Sequence, residues 1–251
     1  MTACLTVEGA TKTFGGLTAV NAVSFEVKPR SVTAIIGPNG AGKTTLFNLI
    51  SGALPLSSGR VLFEGADVTA EEPEAKAARG LIRTFQLVKL FPELSAVENV
   101  KVGFHLRSRG GLLSALLRPR WVRTMEAEID GRARALLDRV GLGAAADRPA
   151  STLSYGQGRL LEVARALAAG PKLLLLDEPA AGLNADESAR LAALIRRIAE
   201  DGTAVLLIEH DMHLVMNTAD DIVVVDFGKK IAQGAPDRIR EDPAVIAAYL
   251  G

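Results

Sequence analysis

A chain of 251 residues, 48% hydrophobic and 23% charged, holds ample core material for one large domain or two small ones. Lys+Arg and Asp+Glu both number 29, so overall charge recommends neither nucleic acid nor an anionic membrane as a partner. Cys4 is the only cysteine, which excludes an intrachain disulfide or a cysteine zinc site and fits a reducing compartment.

Met1–Ala10 lacks the basic start and long apolar run of a signal peptide. The longest apolar runs are strand-sized, well short of the ~18 residues of a membrane helix. A soluble protein is expected, with any membrane role reached through a partner. No internal repeat or long low-complexity linker interrupts the chain.

Leu5–Val7 and Val23–Val27 read as strands on either side of a turn at Gly15-Gly16. Phe14 precedes that turn; such an aromatic is more often core than contact, although its ring face would suit an adenine. Val32–Ile36, β-branched and apolar, reads as a buried strand. It runs into Gly37-Pro38-Asn39-Gly40-Ala41-Gly42-Lys43-Thr44-Thr45, and then a helix through Ile50. The pattern G-x-x-x-x-G-K-[ST] between strand and helix is a phosphate-binding loop. Its glycines let backbone N–H groups approach phosphate oxygens, and the helix directs its positive end at the same anion. Lys43 can reach the β- and γ-phosphates, and the Thr44 hydroxyl can ligate Mg²⁺.

Gly59–Phe63 reads as a strand with a turn at Glu64-Gly65, and Glu71–Arg79 as a helix closed by Gly80. Leu81–Gln86 reads as a strand ending in a glutamine. Ser95-Ala96-Val97-Glu98 is a capping box opening a helix to about Leu106. Between Lys101 and Arg123 lies a basic stretch carrying Arg107, Arg109, Arg118, Arg120, Trp121 and Arg123. With no nucleic-acid fold motif beside it, a solvated or partner-facing helical surface is the better reading than nucleic acid or lipid binding. Met125–Val140 is amphipathic, so the middle third is mostly helical.

Leu153-Ser154-Tyr155-Gly156-Gln157 precedes a helical run, with Ser154 as cap, so this helix start can also face an anion. Leu173–Leu176 runs as a buried strand into Asp177 and Glu178, placing two acids at the carboxyl edge of a sheet, where ligands bind in open α/β folds. One acid can hold Mg²⁺ through water and the other can orient or deprotonate an attacking water. Asn184 caps a helix over Ala185–Ala199. Ala204–Ile208 is another buried strand leading to Glu209-His210-Asp211. Ile222–Asp226 and Lys229–Ala232 form a hairpin-like pair around Phe227-Gly228, and Pro243–Leu250 closes the chain as a helix.

Phosphate loop, Gln86, Leu153–Gln157, Asp177-Glu178 and His210, in that order, resemble the ATP-binding-cassette ATPases over nearly the whole chain. Leu153–Gln157 resembles that family's signature motif. The resemblance implies an α/β fold over residues 1–251: a P-loop NTPase with a RecA-like core, an N-terminal antiparallel β subdomain and a helical subdomain inserted at about 88–160. It implies a head-to-tail dimer with two ATPs between subunits, the phosphate loop of one facing Ser154, Gly156 and Gln157 of the other. It further implies that Phe14 stacks on adenine, Gln86 senses the γ-phosphate and Mg²⁺, Asp177 supports the metal, Glu178 polarises the attacking water and His210 contacts the γ-phosphate.

Arg83-Thr84-Phe85-Gln86, Glu178–Asn184, Ala247–Gly251 and the basic insert resemble the ATPase subunits of branched-chain amino acid importers. That likeness implies membrane-spanning permease subunits, a second ATPase and, indirectly, a periplasmic or extracellular solute-binding protein, with no nucleic acid. The chain would then work at the cytoplasmic face of the cell membrane. Importers of urea or short amides and the lipopolysaccharide-export ATPase share much of the pattern, and a soluble cassette ATPase is a further alternative. Zinc cysteines, a long coiled coil and a second cassette, which would favour the soluble alternative, are missing, as is the N-K-x-D motif of a GTPase. Two departures stand out: Asn184 replaces a usual aspartate, and Gly158 falls where a better helix former is usual, at a cost of about 1 kcal/mol at most.

Overall fold

The computed structural model describes residues 2–84, 90–104 and 120–250. Of residues 120–123 and 250 it describes the backbone alone. Gln86 and the basic positions Arg107, Arg109 and Arg118 lie outside the described residues. The chain divides into two compact units: residues 1–86 with 172–251, and residues 87–171.

The first unit holds two sheets. Strands β1 (Leu5–Phe14), β2 (Leu17–Val27), β4 (Ser58–Phe63) and β5 (Ala66–Asp67) form an antiparallel sheet in the order β2-β1-β4-β5. Both β1 and β2 are longer than their apolar alternation implies, because each carries an irregularity that breaks the period of two. In β1 the buried positions run Leu5, Val7, then Ala10, with the pairing register shifting between Val7 and Ala10. Gly9 takes a positive φ of 56° there. In β2 the buried step from Val20 to Val23 spans Ala22, whose φ is 50°. Such bulges rotate the following side chains to the other face.

The second sheet has the order β10-β9-β3-β8-β7-β6, with β3 (Val32–Ile36), β6 (Leu81–Arg83), β7 (Leu173–Asp177), β8 (Ala204–Ile208) and β9 (Asp221–Asp226) parallel. Strand β10 (Lys229–Gly234) adds antiparallel at one edge. Every residue of β3, β7 and β8 is buried, as expected of strands covered on both faces. Each fully buried Leu, Ile or Val there contributes about 1.5–3 kcal/mol of transfer free energy. Helix α1 (Lys43–Ser51) buries Leu46, Phe47, Leu49 and Ile50 and touches β1, β2 and β6. Helix α2 (Pro73–Arg79) buries the stem of Lys76, whose Nζ donates to the Ile50 carbonyl at 3.0 Å near the end of α1.

The second unit is helical: α3 (Ala96–Phe104), α4 (Arg120–Arg139) and α5 (Tyr155–Ala168). The expected capping box is present at α3, with Glu98 N–H donating to Ser95 Oγ and Ser95 N–H to Glu98 Oε2. Buried Asn99 ties the preceding loop to α3: its amide donates to the Phe91, Leu94 and Ser95 carbonyls and its Oδ1 accepts from Phe91 N–H. A side chain at Gly103 would collide with the Arg165 carbonyl, so α3 and α5 pack backbone to backbone there.

Returning to the first unit, α6 (Ala185–Glu200) follows β7, α7 (Met212–Thr218) follows β8, and α8 (Pro236–Glu241) and α9 (Pro243–Leu250) follow β10. The short helices α7 and α8, seven and six residues long, escape a periodicity reading because neither completes two turns.

Candidate functional site

Strand β3 ends at Ile36, and its continuation, Gly37–Gly42, turns back to start α1. The turn depends on glycine. Gly37, Gly40 and Gly42 have φ of 152°, 79° and 97°. A Cβ on Gly37 would lie on the Val225 carbonyl, and one on Gly42 on the Ala19 carbonyl. Ala41 N–H donates to the Pro38 carbonyl at 3.2 Å, and Gly228 N–H to the Ala41 carbonyl at 2.9 Å. No side chain caps α1, so the N–H groups of Lys43, Thr44 and Thr45 lack intrahelical partners and face outward with the helix's positive end. Lys43 Nζ donates to the Gly37 and Pro38 carbonyls, both at 2.8 Å. Burial lowers the Lys43 pKa, partly countered by the charge of Glu178. Asn39, Gly40 and Thr44 are exposed. A ring of backbone donors, a buried cation and an accessible hydroxyl together form a cradle for a polyphosphate.

Two acids stand at the end of β7. Asp177 is 1% exposed, and its Oδ2 accepts from Arg83 at 2.8 Å. Its Oδ1 is buried and has no hydrogen-bond partner among the described residues. Glu178 adopts φ 49°, a left-handed conformation that costs a non-glycine residue about 1–3 kcal/mol and that clusters at functional sites. Glu178 Oε1 lies 2.9 Å from His210 Nε2. Beneath this pair, Glu209 is 2% exposed and joins the two loops that carry them. Its Oε1 accepts from Ala180 N–H at 2.7 Å, and its Oε2 from His210 N–H at 3.0 Å and Asp211 N–H at 3.4 Å. Burial raises the Glu209 pKa, and these backbone hydrogen bonds offset part of the rise.

The structure thus brings Gly37–Thr45, Asp177, Glu178 and His210 to the carboxyl edge of the parallel sheet. Phe14 is 47% exposed at the end of β1, with Lys12 Nζ 5.3 Å from the ring centroid. In the second unit Ser154 caps α5: its Oγ accepts from Gln157 N–H and Gln157 Oε1 accepts from Ser154 N–H, a reciprocal box. The N–H groups of Tyr155 and Gly156 are left without intrahelical partners at that helix start. The candidate Gln86 lies outside the described residues. Among the described residues, no three or more His, Cys, Asp or Glu cluster to hold a metal by themselves.

Three contributors escape a motif reading. Arg83 reads only as part of a subfamily stretch, and Glu209 only as the neighbour of His210. Gly228 reads as a hairpin turn, yet it contacts the phosphate loop. An acid directly after an all-apolar buried strand is the signal that could have singled out Glu209. Tyr249 of α9 also reaches the loop: burial raises its phenol pKa, and a hydrogen bond with the Gly37 backbone opposes that.

A parallel sheet with this loop after a central strand, β3, and paired acids at the end of β7, one strand further across, defines a phosphate-loop nucleotide hydrolase. The family profile described as ABC transporter matches residues 20–181, and one described as branched-chain amino acid ATP-binding cassette transporter matches residues 229–251. The chain is 45% identical to the high-affinity branched-chain amino acid transport ATP-binding protein BraF of Pseudomonas aeruginosa, over 98% of this chain and 97% of that one. It is 44% identical, with the same coverage, to the corresponding protein LivG of Escherichia coli K12. Among solved structures, an ATP-binding cassette of an ABC transporter in its ADP conformation superposes with a TM-score of 0.87 at 34% identity, covering all of both chains.

The chain belongs to the ATP-binding-cassette transporter family and is an ATPase of it, with the nucleotide-binding fold of that family. Among the described residues no helix is long and apolar enough to cross a membrane.

Proposed function

We propose that this chain is the ATP-hydrolysing subunit of an importer of branched-chain or related apolar amino acids. The observation that carries this reading is 44–45% identity, end to end, to two transport ATP-binding proteins named for those solutes. In it, the chain is peripheral at the cytoplasmic face of the cell membrane, bound to membrane-spanning permease subunits. A periplasmic or extracellular solute-binding protein delivers the solute to those subunits. A second ATPase, this chain or a paralogue, completes a head-to-tail dimer, with a heterodimer favoured.

The proposed chemistry follows from the donor set. Gly37, Pro38, Asn39, Gly40, Ala41 and Gly42 wrap the phosphates, and Lys43 and the N–H groups of Thr44 and Thr45 neutralise them. Phe14 supplies a ring face for the adenine. Mg²⁺, when bound, would offset charge on the β- and γ-phosphate oxygens. The exposed Thr44 hydroxyl and the unspent, buried Asp177 Oδ1 suit that ion, with Gln86 as a further ligand. Glu178 orients the attacking water and accepts its proton, while His210, 2.9 Å away, holds the Glu178 carboxylate and faces the γ-phosphate. Ser154, Gly156 and Gln157 of the opposite subunit close the site from the other side.

Replacing Glu178 by Gln keeps the shape of the site and removes its base. ATP binding is expected to persist while kcat falls about 10²–10⁴-fold; turnover near wild type would refute the assignment. The transport reading is tested by purifying the chain from detergent-solubilised membranes. Co-purifying polytopic subunits and a second cassette ATPase support it; recovery of soluble partners alone, even after crosslinking, overturns it.

A further inference from the structure

Arg83 makes more contacts than an edge-strand residue needs. It ends β6, and its guanidinium holds three elements at once. One terminal nitrogen donates to Asp177 Oδ2 at 2.8 Å, at the end of β7. The other donates to Asn48 Oδ1 at 2.7 Å and to Ser51 Oγ at 2.9 Å, both on α1. The guanidinium also lies 5.7 Å from the centroid of the Phe47 ring, on the same helix. The side chains of Arg83 and Asp177 are 14% and 1% exposed, so water competes little for these bonds.

The arrangement is asymmetric in a way that matters. Arg83 takes Oδ2 of Asp177, and Oδ1 is left buried with no partner among the described residues, an expensive condition for a polar atom unless something else claims it. Helix α1 begins with Lys43 and Thr44, and the same helix, one to two turns on, supplies Asn48 and Ser51. The planar fork of arginine suits this geometry, because its donors diverge in one plane toward separate acceptors, which a lysine ammonium cannot reproduce.

We propose that Arg83 is the positioning residue of the metal site. By fixing the rotamer of Asp177 against α1, it sets the separation between Asp177 Oδ1 and Thr44 at which a nucleotide-bound divalent cation is held. The inference rests on the reading of Thr44 and Asp177 as metal ligands given above. In this proposal Arg83 acts through Asp177 and does not itself hold the nucleotide or the metal.

The test is Mn²⁺ affinity, read by electron paramagnetic resonance with a non-hydrolysable ATP analogue, on wild type, Arg83→Met and Arg83→Lys. Nucleotide affinity is measured in parallel in EDTA with a fluorescent ATP analogue. Residues that orient metal ligands typically change metal affinity by about 10–100-fold. Arg83→Met is expected to weaken Mn²⁺ by that factor, with nucleotide affinity in EDTA within about twofold of wild type, and Arg83→Lys to fall between. The pair Asn48→Ala/Ser51→Ala, which frees the guanidinium from α1 but leaves it beside Asp177, is expected to give a smaller loss.

Should Arg83→Met fail to fold, Arg83→Lys, which keeps the charge, carries the comparison. A folded Arg83 variant that binds Mn²⁺ like wild type overturns the proposal, as does a variant that loses metal-free nucleotide binding to the same extent as metal binding. Wild type that binds Mn²⁺ no better than the free nucleotide analogue does would instead overturn the metal reading on which the proposal stands.

Discussion

Glu209 connects two loops through a single buried carboxylate. A carboxylate with almost no exposure is costly to ionise, and here three backbone N–H groups repay part of that cost. Its pKa lies above the usual range because burial outweighs those bonds. The folded protein therefore holds this proton more tightly than the unfolded chain does. Stability from this group is fully present below the unfolded pKa and is lost as pH rises through the folded one. Glu209→Gln removes the titration and turns an amide nitrogen toward the N–H donors of one loop. The melting-temperature advantage of wild type over Glu209→Gln is expected to shrink as pH is raised from about 4.5 to 7. A difference that grows over that range would refute it. Because Glu209 fixes the backbone of Ala180 and His210, the same variant should lower kcat more than it changes ATP affinity, as seen in a comparison of single-turnover and binding measurements.

Helix caps carry the next level of organisation. Asn184 caps α6 through its Oδ1 on Glu187 N–H, with Glu187 Oε2 returning to Asn184 N–H. Ser154 does the same for α5. Alanine at either position is expected to cost about 1 kcal/mol in chemical denaturation. Asn184→Asp should leave stability almost unchanged, since Asp and Asn cap about equally well. Any change in turnover for that variant would then come from the added charge rather than from the helix. These caps, the phosphate loop and the buried strands were legible in the sequence because each is written in neighbouring residues: a polar cap three positions before its partner, glycines at fixed spacing, an unbroken apolar run. The extents of β1 and β2 were not, since bulges at Gly9 and Ala22 reset their alternation. Nor were the roles of Arg83 and Glu209. Each depends on partners that the sequence places far away, Asp177 for one and Ala180 for the other, and only the sheet order brings them together.

At the scale of the molecule, the lone thiol is a reporter. Cys4 lies just before β1 at 7% exposure, and its Sγ approaches the Lys172 carbonyl at 3.8 Å. Burial pushes its pKa up to about 11, so the reactive thiolate is scarce at neutral pH. Labelling by a thiol reagent is expected to be slow in the native protein and to accelerate in step with unfolding in urea. Rapid labelling without denaturant would show that the start of β1 opens independently. If β1 opens only with the rest of its unit, ATP should slow the labelling further, by mass action on the folded form.

The phosphate loop sits early in the sequence but is finished late. Strand β3 is flanked by β8 and β9, and the loop's own turn is held by Val225 and Gly228. During synthesis, then, the ribosome releases the loop long before anything exists to hold its shape. The apolar strand before it must wait, unpaired, while residues 37–203, most of the chain, are made before β8 can begin. Long-range parallel pairing of this kind is slow to form and exposed to aggregation while it waits. A nascent chain stalled before Ala204 should bind no ATP, however complete its glycine motif. One released after the β9–β10 turn has emerged should bind it. Nucleotide affinity would thereby act as a clock for the completion of translation.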